Sequence, residues 1–233
     1  MAESIRSPLA DVQPAPVTAH FFPLRLREPF NGLSHLLAAL LSLTGGGWLA
    51  AAALQQARLL HALSFAIFTL GLVLLYSASA AYHLLSLSPS ATRWLRRVDH
   101  MMIYVLIAST YTPFCLLVLP GGWATAILAS IWGLAASGVL LSLFTLEKPR
   151  WLTVAIYIFM GWFSLTAIQP LVERLPAEGL FWVVMGGIVY TLGAVIYALK
   201  RPRFLPGVFG FHEVWHLFVM GGSFCHFMAM TWL

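Results

Sequence analysis

Seven stretches of the chain are each long and apolar enough to cross a lipid bilayer as a helix, which takes about 20 residues. They run approximately from 33 to 54, 60 to 84, 99 to 119, 123 to 145, 151 to 170, 178 to 199 and 211 to 232. A soluble domain carries about 25% charged side chains, whereas this chain of 233 residues carries 9%. Hydrocarbon offers backbone amides no water, so each run must satisfy its own hydrogen bonds and is expected to be helical. The expected fold is all-α, a seven-transmembrane helix bundle over residues 28–233. Residues 1–27 are expected to form a disordered or surface-lying cytoplasmic tail. They hold Pro8, Pro14, Pro16 and Pro23 and no apolar core of the kind a secretory signal needs.

The net charge of +5 would suggest a nucleic-acid partner in a soluble chain. The positions of the charges argue against one here. Of the 13 Lys and Arg, eleven fall in alternate connections on one side: Arg6, Arg25, Arg27, Arg93, Arg96, Arg97, Lys148, Arg150, Lys200, Arg201 and Arg203. Only Arg58 and Arg174 fall on the other side. The positive-inside rule then predicts a cytoplasmic N-terminus and an external C-terminus in a multi-pass protein of the cell membrane. Trp94, Trp123, Trp151 and Trp182, near segment ends, fit an interfacial aromatic belt. Ala129, Gly133 and Ser137 in the fourth segment, and Gly186 and Gly187 in the sixth, have the small-residue spacing of close helix contacts. Gly45 to Gly47 and Pro113 are expected to distort their helices locally. Cys115 and Cys225 lie inside apolar stretches without C-x-x-C spacing and read as packing residues, not as a disulfide.

Ionisable groups inside spans are costly, so their places carry information. The second segment ends "SASAAYHLL", with Ser79 and His83 four apart on one face. The third opens "VDHMMIY", bringing Asp99 and His100, and the seventh opens "FHEVWHLF", with His212 and His216 one turn apart. Under the expected topology all three arrive at the same, cytoplasmic, depth. Three histidines, His83, His212 and His216, meet the ligand demand of an open zinc site, which leaves a fourth position for water. Asp99 is suited to bond that water as general base, and Ser79 to donate a hydrogen bond to a substrate carbonyl or to the water. Each has a plainer reading: interfacial histidines, an acid in a helix's first turn, and a serine bonded to its own backbone. "HEVWH" also fits the zinc-peptidase pattern H-E-x-x-H, which would make Glu213 the acid instead. His35 reads as a packing or interface residue, His100 as at best a neighbour of the cluster, and His226, roughly 15 Å further along its helix, as too far to share a metal.

"EPFNGLSH", "SASAAYH", "VDH" and "FHEVWH" together resemble the hemolysin III family, bacterial relatives of the progestin and adipoQ receptors and of the alkaline ceramidases. The resemblance implies a zinc ion held by His83, His212 and His216, with Asp99 at the metal's water and Ser79 nearby. It favours Asp99 over Glu213 as the acid. It also implies hydrolysis of a membrane lipid, an amide or ester, at the cytoplasmic leaflet of a bacterial inner membrane. Two other functions stay open at this stage: a sensor or receptor with a structural zinc, and a pore. A conducting path needs polar side chains through the whole bilayer, and the fourth to sixth segments carry no charge in their interiors. The oligomeric state is not legible in the residues.

Overall fold

Proline sets where several helices begin, because its fixed φ suits a first turn and its missing N–H is not needed there. A computed structural model describes residues 26–144, 149–202, 204–205 and 209–233. Helix α1 (Pro29–Gln55) and helix α3 (Pro89–Leu117) open on a proline, and the Ser88 side chain caps α3 by accepting from the Ala91 N–H. Helices α5 (Arg150–Trp162) and α7 (Ala177–Leu199) each follow one, Pro149 and Pro176. The others are α2 (Leu59–Leu84), α4 (Gly121–Phe144), α6 (Ile168–Arg174) and α8 (Phe211–Met230). The fold is all-α, and among the described residues the only β-type pairing is an isolated bridge between Leu205 and Phe209.

Among the described residues, six units are long and apolar enough to cross a membrane: α1, α2, α3, α4, the stretch Arg150–Arg174 that joins α5 to α6, and α7. The protein is therefore a multi-pass membrane protein. Helix α8 is not among the six. Its 20 residues would span about 30 Å, but His212, Glu213, His216 and His226 lower its apolar character. Of the expected tail, residues 1–25 lie outside the described residues, as do Lys148 and Arg203.

The fifth segment departs from a plain helix. A 3-10 turn, Phe163–Ala167, separates α5 from α6, close before Pro170, whose ring clashes with the preceding turn and lacks an N–H to bond it. The loosened backbone is satisfied from α3: the Tyr111 hydroxyl accepts the Ser164 N–H at 2.8 Å and points at the carbonyls of Met160 and Gly161. By contrast, α1 runs unbroken through Gly45 to Gly47, and α3 runs through Pro113. At Gly46 the requirement is closeness: a Cβ there would sit 1.9 Å from Thr69 Oγ1 on α2.

Helix α1 packs on α2, α2 on α3, and α3 on α4 and α5; α5 meets α7, α7 meets α8, and α8 returns to α1. Phe68, Tyr76, Tyr104, Ile131, Met160 and Met230 are fully buried within. Leucines such as Leu37, Leu40, Leu63 and Leu141 face outward, as they do towards lipid. The expected contact stripe of α4 is corrected: Ala129, Gly133 and Ser137 are exposed, while Ile127, Ile131, Ala135, Gly138 and Ser142 are buried. Both faces are apolar, and only packing distinguishes them. Trp94, Trp123 and Trp151 are exposed, whereas Trp182 packs edge-on against Phe224.

Candidate metal centre

The end of α2, the residues before α1 and the first turn of α8 meet at one end of the bundle. Backbone pairing fixes the first two, with the Glu28 N–H donating to the His83 carbonyl at 2.9 Å. The same residues pair through their side chains: His83 Nδ1 donates to Glu28 Oε2. With Nδ1 carrying the proton, the His83 Nε2 lone pair is left free, and it faces His212 Nε2 at 3.5 Å. A carboxylate behind an imidazole is how metal-ligating histidines are usually oriented. Partial burial disfavours the charged form of Glu28, but the hydrogen bond from His83 and the nearby Arg27 guanidinium outweigh it and hold its pKa below the usual glutamate value.

His216 completes the group. The ring centroids of His83 and His216 are 4.9 Å apart, as are those of His212 and His216. One nitrogen from each of His83, His212 and His216 lies within 4.8 Å of the others. A tetrahedral zinc with bonds of 2.0–2.1 Å holds its nitrogens about 3.3 Å apart, so the His83–His212 pair already has this spacing. His83 and His216 are buried, and His216 Nδ1 has no hydrogen-bond partner among the described residues. A donor set of three imidazoles fits a zinc-type divalent cation and leaves one coordination position open. His35 stacks on His216, with ring centroids 3.8 Å apart and planes 17° apart, and forms the wall behind it.

Glu213 is committed elsewhere. Its Oε2 accepts the Gly210 N–H at 2.7 Å, which caps α8, and its Oε1 accepts Asn31 Nδ2 at 2.8 Å, which ties α8 to α1. Both oxygens thus have structural partners, which weighs against the peptidase-like reading of "HEVWH". Asp99 is not among the residues of the close histidine group. Ser79 is buried on α2 one turn from His83. Asp99 is largely buried on α3, 3.8 Å from His100 Nδ1, which itself bonds the Arg96 carbonyl at 2.7 Å. Two tyrosines flank the centre: Tyr82 packs on His83 at 4.7 Å and Tyr197 on His212 at 5.9 Å.

An apolar cavity of about 150 Å³ is lined by Leu106, Phe114, Tyr190, Trp215, Val219 and His226 among others, and by none of His83, His212 and His216. His226 stands apart from the metal centre. It stacks on Tyr190, and a Cβ at Gly186 would come within 2.7 Å of its Nε2.

Sequence reasoning missed Glu28, Asn31, Tyr82 and Tyr197. Glu28 is 55 residues from His83, and nothing in their spacing reveals the pairing. A polar residue beside a span was the only available signal.

Residues 24–227 match the model of a family described as Haemolysin-III related. The chain is 34% identical over 204 residues to a hemolysin-3 homolog of Bacillus subtilis (strain 168), covering 87% of this chain and 92% of that protein. It is 33% identical to hemolysin-3 of Bacillus cereus, covering 87% and 90%. It is also 29% identical to the human monocyte to macrophage differentiation factor, a member of the progestin and adipoQ receptor group, covering 70% and 67%. The chain belongs to the haemolysin-III related family of membrane proteins.

Proposed function

We propose that this protein is a zinc-dependent hydrolase of a membrane lipid amide or ester, working at the cytoplasmic leaflet of a bacterial inner membrane. In this reading α8 is the seventh span, the N-terminus is cytoplasmic and the C-terminus external. The observation that carries it is the carboxylate-held His83 grouped with His212 and His216. Zinc, when bound, supplies Lewis-acid activation of water and of a carbonyl oxygen.

The chain's own residues do the rest. Glu28 keeps the His83 proton on Nδ1, so that Nε2 remains a donor atom. Asp99 takes the proton of the attacking water as the new C–O bond forms, and returns it to the leaving nitrogen or oxygen as the scissile bond breaks. Ser79 donates a hydrogen bond to the substrate carbonyl. The cavity takes the acyl chain and keeps bulk water away from the reacting carbonyl.

A second reading draws on the ties themselves. Glu28–His83 and Asn31–Glu213 already join α1 to α2 and α8, and a metal could act as one more such tie in a sensor. Turnover separates the two. With purified, zinc-loaded protein, Asp99→Asn is expected to lower release of fatty acid from an N-acyl lipid by about a hundredfold or more. Its metal content should be unchanged, and Glu213→Gln should retain most of the rate. A parent protein that releases no fatty acid, yet unfolds when its metal is chelated, would favour the structural role.

A further inference from the structure

Glu28 holds the His83 ring from behind, whereas among the described residues His216 has no such support. Its Nδ1 is sealed from solvent and unbonded. Two neighbours share that condition. Asn31 Oδ1 and both ring nitrogens of His35 are also buried without a hydrogen-bond partner among the described residues. Asn31, His35 and His216 are only 2%, 3% and 2% exposed, so bulk water does not satisfy these atoms.

The three side chains belong to one closed ring of contacts between α1 and α8. Asn31 and His35 lie four residues apart on α1, on one face. Asn31 Nδ2 donates to Glu213 Oε1 at 2.8 Å, and Glu213 is three residues before His216 on α8. The ring closes where His216 stacks on His35, with centroids 3.8 Å apart. Because Nδ2 is tied to α8, Oδ1 of the same carboxamide stays at this helix contact. A buried polar group left without a partner forfeits the full cost of its desolvation, and four such atoms gather here. Their common partner must both donate and accept. A cation does neither job: the His35 and His216 ring planes are 17° from parallel, so their in-plane lone pairs do not converge on one ion. A water does both, and buried waters make about three hydrogen bonds to groups of this kind.

We propose that one buried water joins Asn31 Oδ1, a His35 ring nitrogen and His216 Nδ1, which makes Asn31 and His35 positioning residues for the metal ligand His216. The proposal rests on the metal-centre reading above and adds how that ligand is aimed. With His216 Nε2 turned to the metal, the Nδ1–H donates to the water, and the water donates to Asn31 Oδ1 and to a His35 lone pair. Stacking on His35 sets the plane of the His216 ring, and the water sets its rotation within that plane. Glu213 takes part at one remove, because by accepting from Nδ2 it turns Oδ1 of Asn31 away from itself. The water does for His216 what the Glu28 carboxylate does for His83, and either kind of partner serves behind a metal-bound imidazole.

The test measures zinc affinity of the full chain in neutral detergent, by competition with a chelator. His35→Phe keeps a ring to stack on His216 and removes both nitrogens, and it should weaken zinc binding about tenfold or more. His35→Gln gives up the stack but can still bond the water, and it should lose less. Asn31→Leu should also weaken binding. The double variant His35→Phe/Asn31→Leu should bind no more weakly than the poorer single variant, because both substitutions break one bridge. Parent-like affinity in His35→Phe would overturn the proposal, as would losses that multiply in the double variant or a His35→Gln as poor as His35→Phe. Should His35→Phe fail to fold, a crystal structure of the zinc-bound parent decides the matter. A water within hydrogen-bond distance of all three groups is expected there, and His35 bonded directly to protein atoms instead would overturn the bridge. A parent chain that takes up no zinc would defeat the metal-centre reading itself, whereas zinc held equally well by parent and His35→Phe would defeat only the water bridge.

Discussion

Helices α4 and α8 are of similar length, 24 and 20 residues, and they present opposite problems to a reader of sequence. Helix α8 carries His212, Glu213, His216 and His226, and each has a definite place: two in the metal group, one in a cap and one against Tyr190. Helix α4 carries no charged residue, and its buried face was expected on the wrong side. In a bilayer the polar groups reveal which way a helix faces, because lipid disfavours them. Apolar residues do not, because lipid tails are as apolar as leucine.

The largest effects are expected where polar groups set the structure. Zinc content of detergent-purified protein should fall from about one per chain to near none in His212→Ala/His216→Ala, because one histidine cannot replace three ligands. Zinc retained by that variant would place the metal elsewhere and erase the contrast between the helices. Glu28→Gln is the finer cut. It keeps the shape but weakens the charged bond to His83 Nδ1, and zinc affinity measured by competition with a chelator should drop about 10- to 100-fold. An unchanged affinity would mean that the His83 ring is oriented by packing alone. Glu213→Gln should cost about 1 kcal/mol of stability through its cap, with zinc retained.

The same contrast explains what was legible. The helical class, six of the seven expected spans and the three histidines followed from apolar runs and from polar residues that have no reason to be in them. Asp99 and Ser79 were singled out on the same logic, for roles at the metal's water and at a substrate carbonyl, not as ligands. Glu28 was quoted only as part of a motif, because its meaning depends on a partner on another helix. The 3-10 turn between α5 and α6 was missed for a related reason: Pro170 is visible, but the Tyr111 hydroxyl that makes the break tolerable comes from α3. Local chemistry can be read along the chain, whereas tertiary partners of apolar and capping groups cannot.

The smallest expected effects lie on α4, and they decide whether its orientation is right. Gly138 faces the Tyr104 ring so closely that a Cβ would meet it at 2.5 Å, whereas around Gly133 a Cβ meets nothing within 4 Å. Tyr104 is buried, so its ring has little room to yield. Gly138→Ala should therefore cost about 1–3 kcal/mol through overpacking, seen as a lower midpoint in thermal unfolding in detergent. Gly133→Ala adds a methyl on the lipid-facing side and removes a flexible residue from a helix interior. It should be neutral or stabilise by up to about 1 kcal/mol. If Gly133→Ala proved the more damaging of the two, the Ala129, Gly133 and Ser137 stripe would be the contact face after all. Helix α4 would then be rotated from the orientation described, or would meet a second copy of the chain along that stripe.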